Sequence, residues 1–324
     1  MTERPRTTLR LPADPAGIAT AADILRRGGL VGFPTETVYG LGADANSAEA
    51  VAGIYAAKGR PRFNPLIAHA ADLAAAQGQG SFKPDALALA RAFWPGPLTL
   101  VVSAAASCTV SDLARAGLDS VALRVPAHPL AQALIAAAGV PVAAPSANRS
   151  GRISPTTAAH VLADLDGRID AVLDGGATRV GVESTIVSCL GEPTLLRPGG
   201  VTREAIEAVL GRVLLDPASD SPTIAPGMLR SHYAPRAAVR LDVAALRPGE
   251  AGLDFGGRFL GQGGLVFDLS PCCDLAEAAA NLFTFLRRLD EALGAGGTIA
   301  VAPIPQGGLG EAIMDRLARA AAER

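Results

Sequence analysis

Lysine and histidine are scarce in this chain. Two lysines, Lys58 and Lys83, and four histidines occur among 324 residues. So few histidines do not make an obvious acid–base set. Four cysteines, Cys108, Cys189, Cys272 and Cys273, have neither a CxxC spacing nor histidine companions, which argues against zinc. Adjacent thiols such as Cys272 and Cys273 rarely bridge, so all four are expected reduced, in a cytoplasmic protein. No run reaches the roughly 18 apolar residues of a membrane span, and the opening MTERPRTTLRLPADP has no apolar core of a signal peptide; no membrane partner is expected. Charge of one sign is missing too: 29 basic residues face 31 acidic ones, a net −2, so no global field draws in nucleic acid. There is no GxxxxGK[ST] loop, no GxSxG and no carboxylate pair at glycosidase-like positions. What remains is chemistry by positioning and electrostatic stabilisation rather than by a side-chain nucleophile.

Apolar material is ample: 49% of residues are hydrophobic and 19% charged, a core-forming composition whose length favours two domains. Through the first two hundred residues β-like runs alternate with helical ones. IATAADILRRGG reads as a helix with Ile18, Ala22 and Leu25 on one face, and LVGFPT as a strand. NSAEAVAGIYAAKG is a helix capped by Asn46 or Ser47, with Val51, Ile54 and Tyr55 inward and Gly59 and Pro61 at its end. NPLIAH, LTLVV, VALRV, VPVAAP and DAVLDGG read as strands; PDALALARAFW, PLAQALIAAAG, TTAAHVLADL and REAIEAVLG read as helices. STIVSCLGEPTLLR reads as a hairpin turning at Gly191. This is an α/β domain with a large, mixed sheet over residues 1–212. Periodicity fades over 213–237, a linker holding the cluster SHYAP. A small parallel α/β domain follows over 238–324, with a long helix near Leu275–Leu293 and a closing helix GEAIMDRLARAAA.

Four polar clusters stand at ends of these elements, where α/β folds place ligands. PTETVYGLG (34–42) crowds hydroxyls into a loop after a strand, either an ST-turn leading to a helix or a binding loop. KGRPRFNPLIAH (58–69) holds Lys58, Arg60 and Arg62, which alternation in an extended segment would put on one side. Three such cations suit a polyphosphate, or cap a helix C-terminus. APSANRSGRIS (144–154) offers hydroxyl, amide and backbone N–H groups that can cradle phosphate. The fourth is split among Arg124, Ser184 and Arg197. Arg124 sits in a strand fit for burial, and a buried Arg needs an anion, from a substrate carboxylate or from a structural salt bridge.

FPTETVYGLG, KGRPRFNPLI, WPGPLTLV, LRVP, PSAN, STIV and LRPG, in this order, resemble the YrdC-like family. SHYAP and PIPQGGLGEAIMDRL resemble its long, two-domain threonylcarbamoyl-AMP synthases. The resemblance implies a YrdC-like twisted mixed sheet with flanking helices and a smaller Rossmann-like parallel domain. It implies Lys58, Arg60, Ser146 and Asn148 as the family's catalytic Lys-Arg-Ser-Asn set. Thr37, His69, Arg124, Ala144 and Ser184 match threonine contacts; Arg60, Asn64, Ser120, Ser146, Ser154 and Arg197, with His232 or Tyr233, match nucleotide contacts. The implied substrates are ATP, L-threonine and bicarbonate. Mg²⁺ would come with ATP, with no protein carboxylate pair as its ligand and no organic cofactor. The product would pass to a complex that modifies tRNA, tRNA itself being met only indirectly or weakly. The linker is expected to fold over the mouth of the N-terminal domain. Two rivals are a carbamoyl-adenylate-forming enzyme, which should bring acylphosphatase-like and zinc-binding segments not seen here, and an RNA-binding module.

Overall fold

Short polar side chains start many of the helices. Asp14, Ser47, Asp72, Thr157, Thr202 and Asp274 each accept a backbone N–H of the turn that follows, satisfying donors a helix start otherwise orphans. In a computed structural model, which describes residues 7–61, 64–217 and 233–322, the helices are α1 (Pro15–Arg26), α2 (Ala48–Lys58), α3 (Leu73–Gln79), α4 (Pro84–Phe93), α5 (Asp112–Arg115), α6 (Pro129–Ala138), α7 (Ala158–Leu165), α8 (Arg203–Leu210), α9 (Leu275–Leu293) and α10 (Leu309–Ala321). The strands are β1 (Leu9–Pro12), β2 (Val31–Pro34), β3 (Tyr39–Asp44), β4 (Ile67–His69), β5 (Gly80–Ser81), β6 (Leu98–Ala104), β7 (Ser120–Arg124), β8 (Val142–Ala143), β9 (Ala171–Asp174), β10 (Thr185–Ser188), β11 (Thr194–Arg197), β12 (Ala238–Arg240), β13 (Ala251–Asp254), β14 (Val266–Asp268) and β15 (Thr298–Val301).

Eleven strands form one mixed sheet, in the order β1-β9-β2-β3-β8-β4-β7-β6-β10-β11 with β5 beside β6. Helices cover both faces. Val51, Ile54, Leu89, Val161 and Leu165 pack on one side; Ala21, Ala22 and Leu25 of α1 meet Ala131, Leu134 and Ile135 of α6 on the other. Each large aliphatic side chain so buried contributes about 1.5–3 kcal/mol. The second sheet, β12-β15-β13-β14, is parallel throughout, with α9 and α10 packed together beside it. The mixed sheet and the small parallel α/β unit are the fold class read from the sequence.

The second core does not stop at its own sheet. Val38, Ile153 and Val182 from the large sheet's loops join it. Ala279, Phe283 and Arg287 recur every four residues on α9, the spacing of one helical face. That face meets Gly181, Tyr233 and the carbonyl of Ile153 in turn. Gly181 has φ +78°, and a Cβ there would lie 2.2 Å from the Ala279 carbonyl oxygen; only glycine permits this approach.

Two local readings need correcting. YGLGAD is not loop: β3 pairs back on β2 as an antiparallel hairpin, Val31 opposite Gly42 and Pro34 opposite Tyr39. Only 35–38 turn, with the Thr35 hydroxyl accepting the Thr37 and Val38 N–H groups at 3.2 and 3.3 Å: an ST-turn, but one that leads into a strand and not into a helix. Residues 213–217 have not left the large sheet: Leu195 N–H donates to the Leu215 carbonyl at 2.7 Å, and Leu214 is buried. His232, and the rest of 218–232, lie outside the described residues.

Candidate active site

Several strands end at one place. β4 and β7 run parallel, which sets His69 beside Arg124. β8 lies antiparallel on the other flank of β4, and Ala144 N–H donates to the Ile67 carbonyl at 2.9 Å. The chain after β8 then crosses the hairpin tip: Leu41 N–H donates to the Pro145 carbonyl at 2.7 Å, and Gly40 bridges Ser146. From the far side, the Ser184 hydroxyl reaches that of Thr99 at 2.8 Å. His69, Arg124, Ala144, Ser146 and Ser184 wall one cleft together with Arg60, Glu183, Arg197 and Tyr233.

The cleft gathers Thr37, Arg60, His69, Arg124, Ala144, Ser146, Ser184, Arg197 and Tyr233 of the residues singled out in the sequence. Lys58, Asn64, Ser120, Asn148 and Ser154 are not in its wall. Ser120 opens β7 opposite Ser103, four residues back from Arg124, about 13 Å along a strand. The Ser154 hydroxyl is turned to the Glu183 carboxylate. Asn64 and Asn148 are buried, each with an Oδ1 lacking a hydrogen-bond partner among the described residues.

Lys58 departs most from expectation. It ends α2, and the next residue, Gly59, is left-handed at φ +61°. The segment is therefore not extended there, and alternation does not put Lys58 on one side with Arg60. Its Nζ donates to the carbonyls of Ser146, at 2.6 Å, and Asn148. Burial, and then Arg60, push its pKa well below the ordinary value, with Asp164 opposing. Lys58 ties the PSAN loop to α2 from behind the cleft. Arg62 lies outside the described residues.

Arg60 does face the cleft. One Nη2 reaches the carbonyls of Asn64 and Pro65 at 3.5 and 3.2 Å, while its buried Nε has no hydrogen-bond partner among the described residues. Burial lowers its pKa to about 10, still a cation at neutral pH. Arg197 donates to the Ser184 carbonyl from Nε and Nη2, at 3.1 and 2.9 Å. Arg124 meets Glu36, Nη2 to Oε1 at 2.7 Å. The structural salt bridge is thus present, although those two atoms are not aligned as a hydrogen bond. The other Glu36 oxygen accepts Ala127 N–H at 3.1 Å. Burial works against the Glu36 charge, but Arg124 prevails and its pKa falls below the usual carboxylate value. Sequence reasoning left Glu36, Glu183 and Arg316 unassigned. Glu36 was in view within TETVYG, but nothing local connects it to an arginine eighty-eight residues later.

Burial, and then Arg124, push His69 down to about 3, so it stands neutral as a hydrogen-bonding group. The unfolded chain binds a proton near 6.5 while the folded one does not, so this histidine's contribution is complete above 6.5 and is lost as pH falls from there toward 3. The slope approaches about 1.4 kcal/mol per pH unit. Urea midpoints measured from pH 7 to 4 should fall steeply for the native protein and less steeply for His69→Gln. Equal slopes would mean that His69 is not held neutral.

Residues 23–199 match the family model described as telomere recombination (Sua5_yciO_yrdC), and residues 201–322 match that for the threonylcarbamoyl-AMP synthase C-terminal domain. A relative in Bacillus subtilis (strain 168), named threonylcarbamoyl-AMP synthase, is 44% identical over 95% of this chain and 93% of its own. The chain belongs to the threonylcarbamoyl-AMP synthase family. A family member of the same name in Pyrococcus abyssi (strain GE5 / Orsay) is 42% identical over 95% of this chain and 94% of its own. The crystal structure of P. abyssi Sua5 complexed with L-threonine, at 39% identity, covers 97% of both chains with a TM-score of 0.87. Family membership therefore spans both sheets. Among the described residues no helix is long and apolar enough to cross a membrane.

Proposed function

We propose that this chain is a threonylcarbamoyl-AMP synthase: L-threonine, bicarbonate and ATP become L-threonylcarbamoyladenylate and pyrophosphate. The observation that carries the reading is the cleft itself, where three arginines, a neutral histidine and five side-chain hydroxyls converge in a family member alike over 95% of this chain. Threonine's neutral amine attacks bicarbonate carbon, forming the N–C bond of a carbamate and releasing water. A carbamate oxygen then attacks the α-phosphorus of ATP, and the α–β bridging oxygen leaves with pyrophosphate. No protein nucleophile is needed, and charge stabilisation is the larger contribution.

In this reading Arg60 and Arg197 offset the phosphate charges, and Arg124 takes the threonine carboxylate in competition with Glu36. Thr37, His69, Ala144 and Ser184 shape the amino-acid pocket. Ser146 and Tyr233 border the nucleotide, while Lys58 and Asn148 hold the loop that Ser146 stands on. Asn64, Ser120 and Ser154 are outside the cleft wall and would reach a nucleotide only beyond it. Among the described residues no three His, Cys, Asp or Glu side chains gather to hold a metal. Mg²⁺ would arrive with ATP as part of the substrate. The adenylate product is consumed by a complex that transfers the threonylcarbamoyl group to tRNA.

A pocket whose polar groups hydrogen-bond a substrate hydroxyl leaves them unpaired when an analogue lacks it. Turnover should thus favour threonine, accept serine poorly and reject valine by about 10²-fold or more. Pyrophosphate release from ATP, with each of threonine and bicarbonate omitted in turn, tests the function. Release that needs both supports it; release with valine equal to that with threonine, or with neither co-substrate, contradicts it.

A further inference from the structure

Among the described residues, the largest side chain that the fold buries completely is Arg316, on the closing helix α10. Its Nε donates to Glu183 Oε2 at 2.8 Å, and its Nη1 to Asp315 Oδ2 at 2.6 Å. Its guanidinium carbon lies 5.3 Å from the centroid of the Tyr233 ring. Glu183 and Tyr233 both line the cleft, whereas Arg316 does not. One cation of the small domain thus grips two pieces of the cleft wall from behind.

Both pieces need gripping. Tyr233 has φ +60°, a left-handed backbone that a bulky side chain keeps only where its surroundings over-determine it. The small domain supplies much of those surroundings: Phe283 of α9 stacks on the ring at 5.5 Å and 27°, and the Arg316 guanidinium lies over it. Glu183 is buried too, at the cleft wall. Arg316 holds one of its oxygens and the Ser154 hydroxyl the other. A carboxylate freed in this cleft would turn toward Arg197, whose charge already acts on it and which is needed for phosphate.

We propose that Arg316 is a positioning residue for the synthase reaction: by engaging Glu183 and fixing the Tyr233 ring, it keeps the nucleotide side of the cleft open to phosphate, so the small domain acts on the reaction through this side chain. The inference rests on the synthase reading given above. Arginine is required rather than any cation, since only a planar guanidinium can pair with a carboxylate at its edge and lie over a ring with its face.

The test is ATP titration by calorimetry without threonine, with the full-length chain as wild type, Arg316→Gln and Arg316→Lys, alongside melting curves and threonine titrations. Arg316→Gln should weaken ATP binding by about tenfold or more, with threonine affinity changed by less than about threefold. Arg316→Lys keeps a cation for Glu183 and should fold even if the glutamine variant does not; it should fall between the other two. A purely structural arginine would lower the melting temperature and leave ATP affinity unchanged in the folded variants, and that result overturns the proposal. If the wild type itself binds no ATP, the synthase reading fails and the proposal with it. If the wild type binds ATP and Arg316→Lys binds it equally well, only the proposal fails.

Discussion

Replacing Arg60 with alanine is expected to leave a folded protein whose threonine-dependent pyrophosphate release is slower by about 10²–10³-fold, the usual effect of losing one preorganised donor in a water-poor site. Arg60 is 8% exposed, anchored through one nitrogen to the carbonyls of Asn64 and Pro65, and its Nε has no hydrogen-bond partner among the described residues. A buried donor without a partner is costly unless a ligand uses it. Burial brings its pKa only to about 10, so the side chain stays charged throughout the working range. Steady-state kinetics with melting curves decide the matter. Turnover within about threefold of wild type, less than about 1 kcal/mol of lost transition-state stabilisation, would make Arg60 a loop fastener. Lys58 separates from Arg60 here despite their proximity in sequence. Its ammonium is spent on the Ser146 and Asn148 carbonyls, so Lys58→Ala should act through displacement of the PSAN loop and should show in the melting curve as well as in the rate.

Loss of Arg124 should fall on threonine. Charge-assisted hydrogen bonds to a carboxylate contribute about 1.5–3 kcal/mol, so Arg124→Ala should raise the KM for threonine by about 10- to 100-fold, with that for ATP nearly unchanged. The variant carries a second effect: Glu36, buried and paired with Arg124, would be stranded, and breaking a buried pair from one side typically costs about 3–5 kcal/mol of stability. Arg124→Ala combined with Glu36→Gln removes that carboxylate and should recover much of the stability without recovering threonine affinity. If the double variant regains normal threonine KM, Arg124 serves only to neutralise Glu36. If ATP rather than threonine affinity falls, Arg124 has been placed on the wrong substrate.

Residues that face the cleft were legible where a strand and its ending loop carried the signal. Arg124 in LRVP, Ser184 in STIV and the PSAN turn were each odd enough locally to be noticed. What sequence could not supply was partnership across distance. Glu36 with Arg124, and Glu183 with Arg316, are pairs made by the sheet order and by domain packing, with no local periodicity to show them. The β2–β3 hairpin was missed for a related reason: YGLGAD is buried almost throughout, so the alternation that marks a half-exposed strand is erased. Helix α3, with LAAAQGQ, has no apolar stripe to detect, and β13 and β5 are short and glycine-bearing. Long amphipathic helices such as α9 and α10 were legible nearly to their ends, since one face repeats over many turns. The extended reading failed at Lys58 because that residue still belongs to α2 and Gly59 is its left-handed C-cap.

The most direct measurement of the central claim follows the bicarbonate carbon. The protein is incubated with ATP, L-threonine and ¹³C-bicarbonate, and the nucleotide products are separated at once and weighed by mass spectrometry. The account predicts a single adenylate that contains AMP, one threonine and one labelled carbon, formed in step with pyrophosphate. An adenylate that holds threonine without the label would mean that the threonine carboxylate, not a carbamate, attacks the phosphorus, and would contradict it.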